Sequence, residues 1–276
     1  MIKRLFLKIL KKFKMNPNEN NEITKPVILD VENKQNNVSF ACIVNDTLKI
    51  SISVQSGCVI GCKYCKFGNT FYRNLTLDEM KQQLNAVLDS VKNTNEKYSK
   101  VEVDNLCSGE PMMNWVEVER FIEYCRSLNF AFNLYTVGVE YPDILSRILN
   151  MSIKYKDFNL FFNITAMNDK ERNDMFKNHG ILYLRLQKIV NYCNKYKLNS
   201  GKKVNILYHY TGFESISDVE IIKTKFTTCN FIIKSIIKTD ETDKNIDLFK
   251  QKIDSYVQVN IPTVEDYYID DAMYKK

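Results

Sequence analysis

The 276-residue chain lacks any apolar run approaching the ~18 residues that a membrane-crossing helix needs, so no transmembrane helix is expected. It lacks the marks of a secretory signal as well, because lysines break up the apolar residues near the N-terminus and no small-residue cleavage site follows. Internal repeats are missing. So is any second pair of closely spaced cysteines outside residues 58–65: Cys42, Cys107, Cys125, Cys193 and Cys229 stand singly, and none follows Cys229. Eight cysteines without an export signal predict a reducing, cytoplasmic compartment, where thiols act as metal ligands or core residues rather than disulfides. Against these absences, 45% apolar residues with 16 Tyr and 16 Phe provide for a sizeable core and exclude a disordered chain.

The net charge of +6 suggests a nucleic-acid binder until its position is examined. Lys3, Arg4, Lys8, Lys11, Lys12 and Lys14 account for all of it, with no acid before residue 16, so the rest of the chain is neutral. Ile2, Leu5, Phe6, Ile9, Leu10 and Phe13 follow helical spacing, which predicts a basic amphipathic helix over residues 2–14. Its apolar face suits docking on the protein itself, on a partner or on an anionic membrane surface. Residues 1–37 are therefore read as this helix and a linker, 38–240 as the core, and 241–276 as a C-terminal extension.

Within the core, β-like runs at 48–54, 100–106, 131–136, 159–165, 203–208 and 230–237 alternate with helical patterns at 77–91, 116–128, 142–149, 182–196 and 217–226. Thr76 and Glu79 form a capping box for the first of these helices. Such alternation predicts βαβ units and a parallel α/β sheet. Six strands suit a partial barrel or an open sheet. In either, chemistry is expected in loops at the carboxyl ends of the strands.

The segment Ser56-Gly57-Cys58-Val59-Ile60-Gly61-Cys62-Lys63-Tyr64-Cys65-Lys66-Phe67-Gly68 follows the first run. Its C-x3-C-x2-C spacing places three thiols on a glycine-rich loop able to wrap a metal centre. Structural zinc asks for four closed ligands, and the chain has no second pair to complete them. A [4Fe–4S] cluster held by three thiolates, with one iron left open, fits better. Three buried core thiols are the plainer alternative.

This spacing, with Tyr64 before the last cysteine, resembles the signature of the radical S-adenosylmethionine (SAM) superfamily. The resemblance implies a partial (β/α)6 TIM-like barrel and a cluster on Cys58, Cys62 and Cys65 that chelates SAM. It also implies reductive cleavage of SAM to a 5′-deoxyadenosyl radical, with a flavodoxin or ferredoxin as electron donor. Tyr72-Arg73-Asn74-Leu75-Thr76-Leu77-Asp78-Glu79, Ser108-Gly109-Glu110-Pro111-Met112-Met113-Asn114 and Thr165-Ala166-Met167-Asn168-Asp169-Lys170-Glu171-Arg172-Asn173 look like successive segments of the radical-SAM RNA adenine methyltransferases. By that resemblance Glu110 accepts hydrogen bonds from the SAM amino group, and Thr136, Asn163 and Thr165 are further cofactor-binding candidates. Two plainer readings stand beside these. Glu110-Pro111 has the pattern of a helix start, and Asn168-Asp169 that of a helix cap.

The resemblance breaks at the methyl-transfer thiols. The family's cysteine seven residues before the cluster is Ser51 here, and its C-terminal methyl-carrying cysteine has no counterpart after Cys229. The family's His and Pro in the third segment are Thr165 and Met167. The expected function is therefore a radical SAM enzyme that abstracts hydrogen from an unidentified substrate, with no residue assigned as catalytic. The alternatives are an RNA adenine methyltransferase-like enzyme whose thiol has moved to Cys107 or Cys42 or comes from a partner, and a non-catalytic iron–sulfur protein. Cys107 reads first as a buried strand-end cysteine. His179-Gly180 reads as a helix end, and His209 as a rim residue in contact with substrate or solvent.

Overall fold

Alternating apolar positions in short β-branched and aromatic runs need two faces to bury, and the tertiary arrangement supplies both. The computed structural model describes residues 27–30, 38–44, 46–92, 97–210 and 216–235. Strands β1 (Val27–Asp30) and β2 (Val38–Val44) lead antiparallel into β3 (Thr47–Ser51). A small hairpin of β4 (Gln55–Gly57) and β5 (Phe71–Asn74) follows. The chain then runs α1 (Leu77–Lys92), β6 (Lys100–Asp104), α2 (Trp115–Ser127), β7 (Ala131–Thr136), α3 (Pro142–Lys154), β8 (Phe158–Ile164), α4 (Asp169–Asp174), α5 (Leu186–Ser200), β9 (Val204–Tyr210), α6 (Ile216–Lys225) and β10 (Cys229–Ser235). The sheet order is β1-β2-β3-β6-β7-β8-β9-β10, parallel from β3 onward. Among the described residues its two ends do not pair, so the partial barrel, not a closed one, is the architecture.

Period-two alternation divides the strands between two environments. Leu48, Ile50, Val103, Phe132, Leu134, Phe158, Phe162, Ile206 and Phe231 join the main core under the helices. The opposite face carries a separate layer of Tyr135, Phe161, Leu207 and Ile232, with Leu106 packed on it. The Tyr135 and Phe161 rings stack at 4.2 Å. The same face also bears a polar row: Asn159 donates to Asn133 (2.9 Å), Asn133 to Glu102 (3.3 Å), and Asn230 to Asn205 (3.1 Å).

Helix α1 buries Met80, Leu84, Val87 and Val91 at helical spacing. Its capping box forms as expected: the Thr76 N–H donates to Glu79 (2.9 Å) and the Glu79 N–H to the Thr76 hydroxyl (3.3 Å). All six strand runs and all five helical patterns are present, with shifted ends. The run expected over 48–54 stops at Ser51, because Gln55–Gly57 leaves the sheet to pair with β5. The helix expected over 182–196 starts at Leu186, because the preceding residues pair with the chain after β7: Leu184 N–H bonds Gly138 O, and Glu140 N–H bonds Leu182 O. Strand β1 occupies part of the segment read as linker, where its period-two signal spans only four residues. The amphipathic helix at residues 2–14 and the extension at 241–276 lie outside the described residues. No described helix is long and apolar enough to cross a membrane.

Candidate active site

The cysteine loop runs between β4 and β5, and its tight turns explain its glycines. Gly57 has φ +74°, and a Cβ there would lie 2.0 Å from Thr70 O. A Cβ on Gly68 would lie 2.6 Å from Cys62 O, so the loop closes on itself only around a hydrogen atom. Inside the loop, Cys65 N–H donates to Cys62 O (3.1 Å) and Gly68 N–H to Cys65 O (3.0 Å). From outside, the segment after α4 clamps it. Lys63 N–H donates to Met175 O (2.9 Å), Lys177 N–H to Gly61 O (3.0 Å), and the Asn178 amide to Val59 O (3.2 Å).

The Ser108-Gly109-Glu110 turn after β6 is tied to the same loop. The Ser108 hydroxyl donates to Gly57 O (2.7 Å). The Gln55 amide oxygen accepts the Glu110 N–H (3.0 Å), while its NH2 donates to Asn74 (2.7 Å), which in turn donates to Met113 O (3.1 Å). Asn114 donates to both Val54 O and Leu75 O at 2.8 Å. Asn74 and Asn114, read from sequence only as motif letters, are thus the struts that fix the two loops together. Arg73 pairs with Glu79 through both guanidinium nitrogens (2.8 and 2.5 Å).

Cys58, Cys62, Cys65, Glu110 and Asn163 line one cleft at the carboxyl ends of the strands, together with Tyr64, Asn105, Cys107, Tyr135 and Val137. Glu110 is buried, and its carboxylate accepts from the Thr136 hydroxyl (2.5 Å), Val137 N–H (3.0 Å) and Met112 N–H (3.1 Å). The Met112 bond caps a 3-10 turn, Pro111–Asn114, so Glu110 both opens a helix, as the plainer reading has it, and faces the cleft. Thr136 stands behind Glu110, its hydroxyl also accepting the Gly138 N–H (3.0 Å). Thr165 is buried outside the cleft lining, with no partner for its hydroxyl among the described residues; the Asn163 carbonyl oxygen is likewise unpartnered. Asn168 caps α4 by accepting from Lys170 N–H (2.8 Å) and Glu171 N–H (3.3 Å), so its plainer reading holds.

Two histidine expectations are corrected. His209 is buried, not on the rim, and its ring centroid lies 5.1 Å from that of Tyr64 in the cysteine loop. His179-Gly180 forms a turn beyond α4 rather than a helix end, with Gly180 N–H donating to Asn178 (3.1 Å). Cys42 sits in β2 within the sheet, away from the cleft, whereas Cys107 lines the cleft and its thiol donates to Ser51 O (3.3 Å). Sequence reasoning passed over Gln55, Asn105 and Arg172. Only Arg172 carried a signal, its place in the third family-like segment.

Electrostatics bear on what this cleft can hold. Burial, and then the neighbouring Cys65, push the Cys58 thiol up to about 12; the same causes, with Cys58 added, raise Cys62 well above its ordinary value. Burial likewise raises the Glu110 carboxyl to about 7 against the pull of Thr136 and Val137. Crowded acids in a low-dielectric cleft stay protonated unless a cationic group compensates them, and iron is such a group. Among the described residues no three His, Cys, Asp or Glu side chains converge on a single ion. Three thiols around one cleft instead suit a cluster in which each thiolate meets its own iron. The donor set therefore fits an iron–sulfur cluster.

Comparison with known proteins agrees. The sequence model of the Radical SAM superfamily matches residues 52–225. The chain belongs to the radical SAM superfamily. It is an enzyme of that class, and its cofactors are the [4Fe–4S] cluster and SAM that members of the superfamily use. It is 25% identical over 223 residues to the probable dual-specificity RNA methyltransferase RlmN of Clostridium perfringens (strain SM101 / Type A), covering 75% of this chain and 61% of that protein. The match to the RlmN of Pseudothermotoga lettingae is 29% identical over 167 residues and covers 57% and 44%. The chain thus spans less than two thirds of these relatives' length. A crystal structure of a radical SAM methyltransferase from Sphaerobacter thermophilus superposes with a TM-score of 0.66 at 18% identity, over 91% of this chain and 78% of that one. At that identity the likeness speaks for the fold.

Proposed function

We propose that this radical SAM enzyme abstracts hydrogen from an as yet unidentified substrate, with Cys58, Cys62 and Cys65 as cluster ligands and Glu110 as acceptor for the SAM amino group. The observation that carries the reading is the shared cleft: three thiols on one loop and a buried carboxylate on the next. When bound and reduced, the cluster supplies one electron for reductive cleavage of SAM to methionine and the 5′-deoxyadenosyl radical. The chain's residues orient and enclose. Glu110 is held in the cleft lining by Thr136, Val137 and Met112, and an ionised carboxylate is a strong acceptor for an ammonium group. The unpartnered oxygen of Asn163 offers a second acceptor on the facing strand. Thr136 acts through Glu110 as a positioning residue, and Thr165 keeps its assignment as a cofactor-binding candidate on its unpartnered hydroxyl alone. Tyr135, stacked on Phe161, contributes an aromatic wall to the cleft. A cytoplasmic flavodoxin- or ferredoxin-type donor provides the electron. For residues 2–14, docking on the protein, a partner or an anionic membrane is retained as the proposed role.

A second reading has one observation in its favour. The Cys107 thiol lies in the cleft against Ser51 O, beside the position where the RNA methyltransferases that the sequence resembles carry a cysteine. Cys107 would then be a relocated thiol and RNA the substrate. Anaerobic reconstitution followed by dithionite and SAM, with and without RNA, separates the readings. 5′-Deoxyadenosine without RNA methylation supports the first. RNA methylation that disappears in Cys107→Ala supports the second, and an assembled cluster that yields no 5′-deoxyadenosine removes both.

A further inference from the structure

Arg172, in α4, is 0% exposed, yet among the described residues it forms no ion pair. Its Nη1 donates to Leu184 O (2.7 Å), its Nη2 to Val137 O, and its Nε has no partner. The Phe176 ring centroid lies 5.6 Å from its Cζ. The carboxylate acting most strongly on it, Asp169, is itself engaged by the Leu186 N–H (2.8 Å). Burial lowers the guanidinium pKa to about 10, which leaves it charged at neutral pH. A buried cation whose carboxylate neighbour is outside ion-pair distance and already engaged elsewhere is costly, so the fold keeps one only where further negative charge offsets it.

The surroundings indicate what does. Besides Asp169, the ionisable groups within reach of the Arg172 charge are Glu110, Tyr64, Tyr183 and Cys62, all on the cleft side, and Tyr64 and Cys62 belong to the cysteine loop. Phe176, against the guanidinium, is bridged to Cys62, and Val137, which accepts from Arg172, also holds Glu110 through its N–H. Arg172 thus backs the cleft wall directly behind Cys62. A cluster ligated by three thiolates carries net negative charge, and reduction adds one more unit.

We infer that Arg172 is a positioning residue whose fixed positive charge is the counter-charge of the cluster on Cys58, Cys62 and Cys65 and raises its reduction potential. The inference rests on the cluster reading of those cysteines. The reduction takes one electron from an external donor, and the added negative charge stays on the cluster beside the guanidinium. A purely structural strut joining Val137 to Leu184 would leave the potential unchanged.

The test is a redox titration of anaerobically reconstituted holoenzyme, with iron content measured in parallel. At the wild-type midpoint, Arg172→Gln is expected to lower the reduced-to-oxidised ratio about tenfold, which is 59 mV for one electron. Arg172→Lys keeps the charge and is expected to stay close to wild type. Asp169→Asn keeps an acceptor for Leu186 N–H while removing the offsetting carboxylate, and is expected to move the ratio upward; it tests the same field should Arg172→Gln not fold. Fully loaded Arg172→Gln with an unmoved potential overturns the inference, as does an Asp169→Asn shift that is absent or downward. A wild-type protein that binds no iron removes the cysteine reading itself, and the inference with it.

Discussion

Glu110→Gln removes a titration from the centre of the site while nearly preserving its shape. Burial holds the Glu110 carboxyl at about 7, against an ordinary 4.5. In metal-free protein between those two pH values, the folded state therefore keeps a proton that the unfolded chain has released. Stability from this group is fully present below pH 4.5 and is lost as pH rises through 7. At about 1.4 kcal/mol per pH unit, the whole interval is worth on the order of 3 kcal/mol. Asp104, raised by burial from 3.8 to about 7, contributes a slope of the same sign that the variant retains. Urea unfolding at pH 4 and pH 8 measures the sum in each protein. The loss of stability between these pH values should be about 3 kcal/mol smaller in Glu110→Gln than in wild type. Equal losses in the two proteins, within about 1 kcal/mol, would refute the reasoning that burial dominates at this carboxyl. The same variant replaces a charge-assisted acceptor by a neutral one, so SAM should bind reconstituted protein about ten- to a hundredfold more weakly by equilibrium dialysis.

The neighbouring struts and turns make separate predictions. Gly68→Ala places a methyl group 2.6 Å from Cys62 O and 2.8 Å from Cys62 N, so it should lose iron on reconstitution while its circular dichroism stays that of wild type; full iron content would count against the loop geometry. Asn114→Ala withdraws the donor shared by Val54 O and Leu75 O, and chemical denaturation should register a loss of about 2–4 kcal/mol. The Arg73 hydrogen bonds hold Glu79 down at about 2, so this pair stabilises above pH 4.5 and fades as pH falls through 2. Because the pair is partly exposed, Arg73→Ala should cost no more than about 1 kcal/mol at pH 7, and less as the pH approaches 2. Phe162→Ala, at a fully buried ring in β8, should cost about 3–5 kcal/mol by the same measurement.

The strand and helix order was legible because each element carries its own periodicity. Phe132 and Leu134 against Tyr135, or Met80, Leu84, Val87 and Val91 along α1, declare their faces within a few residues of chain. The capping box at Thr76 and Glu79 is equally local. Element ends were less legible, because partners distant in sequence decide them. Leu182 and Leu184 read as helix by spacing, yet pairing with the backbone of Gly138 and Glu140 holds them extended. His209 read as a rim residue because nothing adjacent in sequence records that Tyr64, far earlier in the chain, packs against its ring.

The site divides in the same way. The sequence alone singled out the candidate ligand loop, since three cysteines at C-x3-C-x2-C among glycines form a local pattern whatever surrounds it. It also singled out Glu110, whose position after a strand end is a local fact. Tertiary structure alone decided the environment. It brought Cys107 into the cleft against Ser51, set Thr136 behind Glu110 as a support, and buried Arg172 behind Cys62 without an ion pair among the described residues. Ligand identity is written in short-range spacing, whereas burial, dielectric and the field at a site arise from chain segments that meet only on folding.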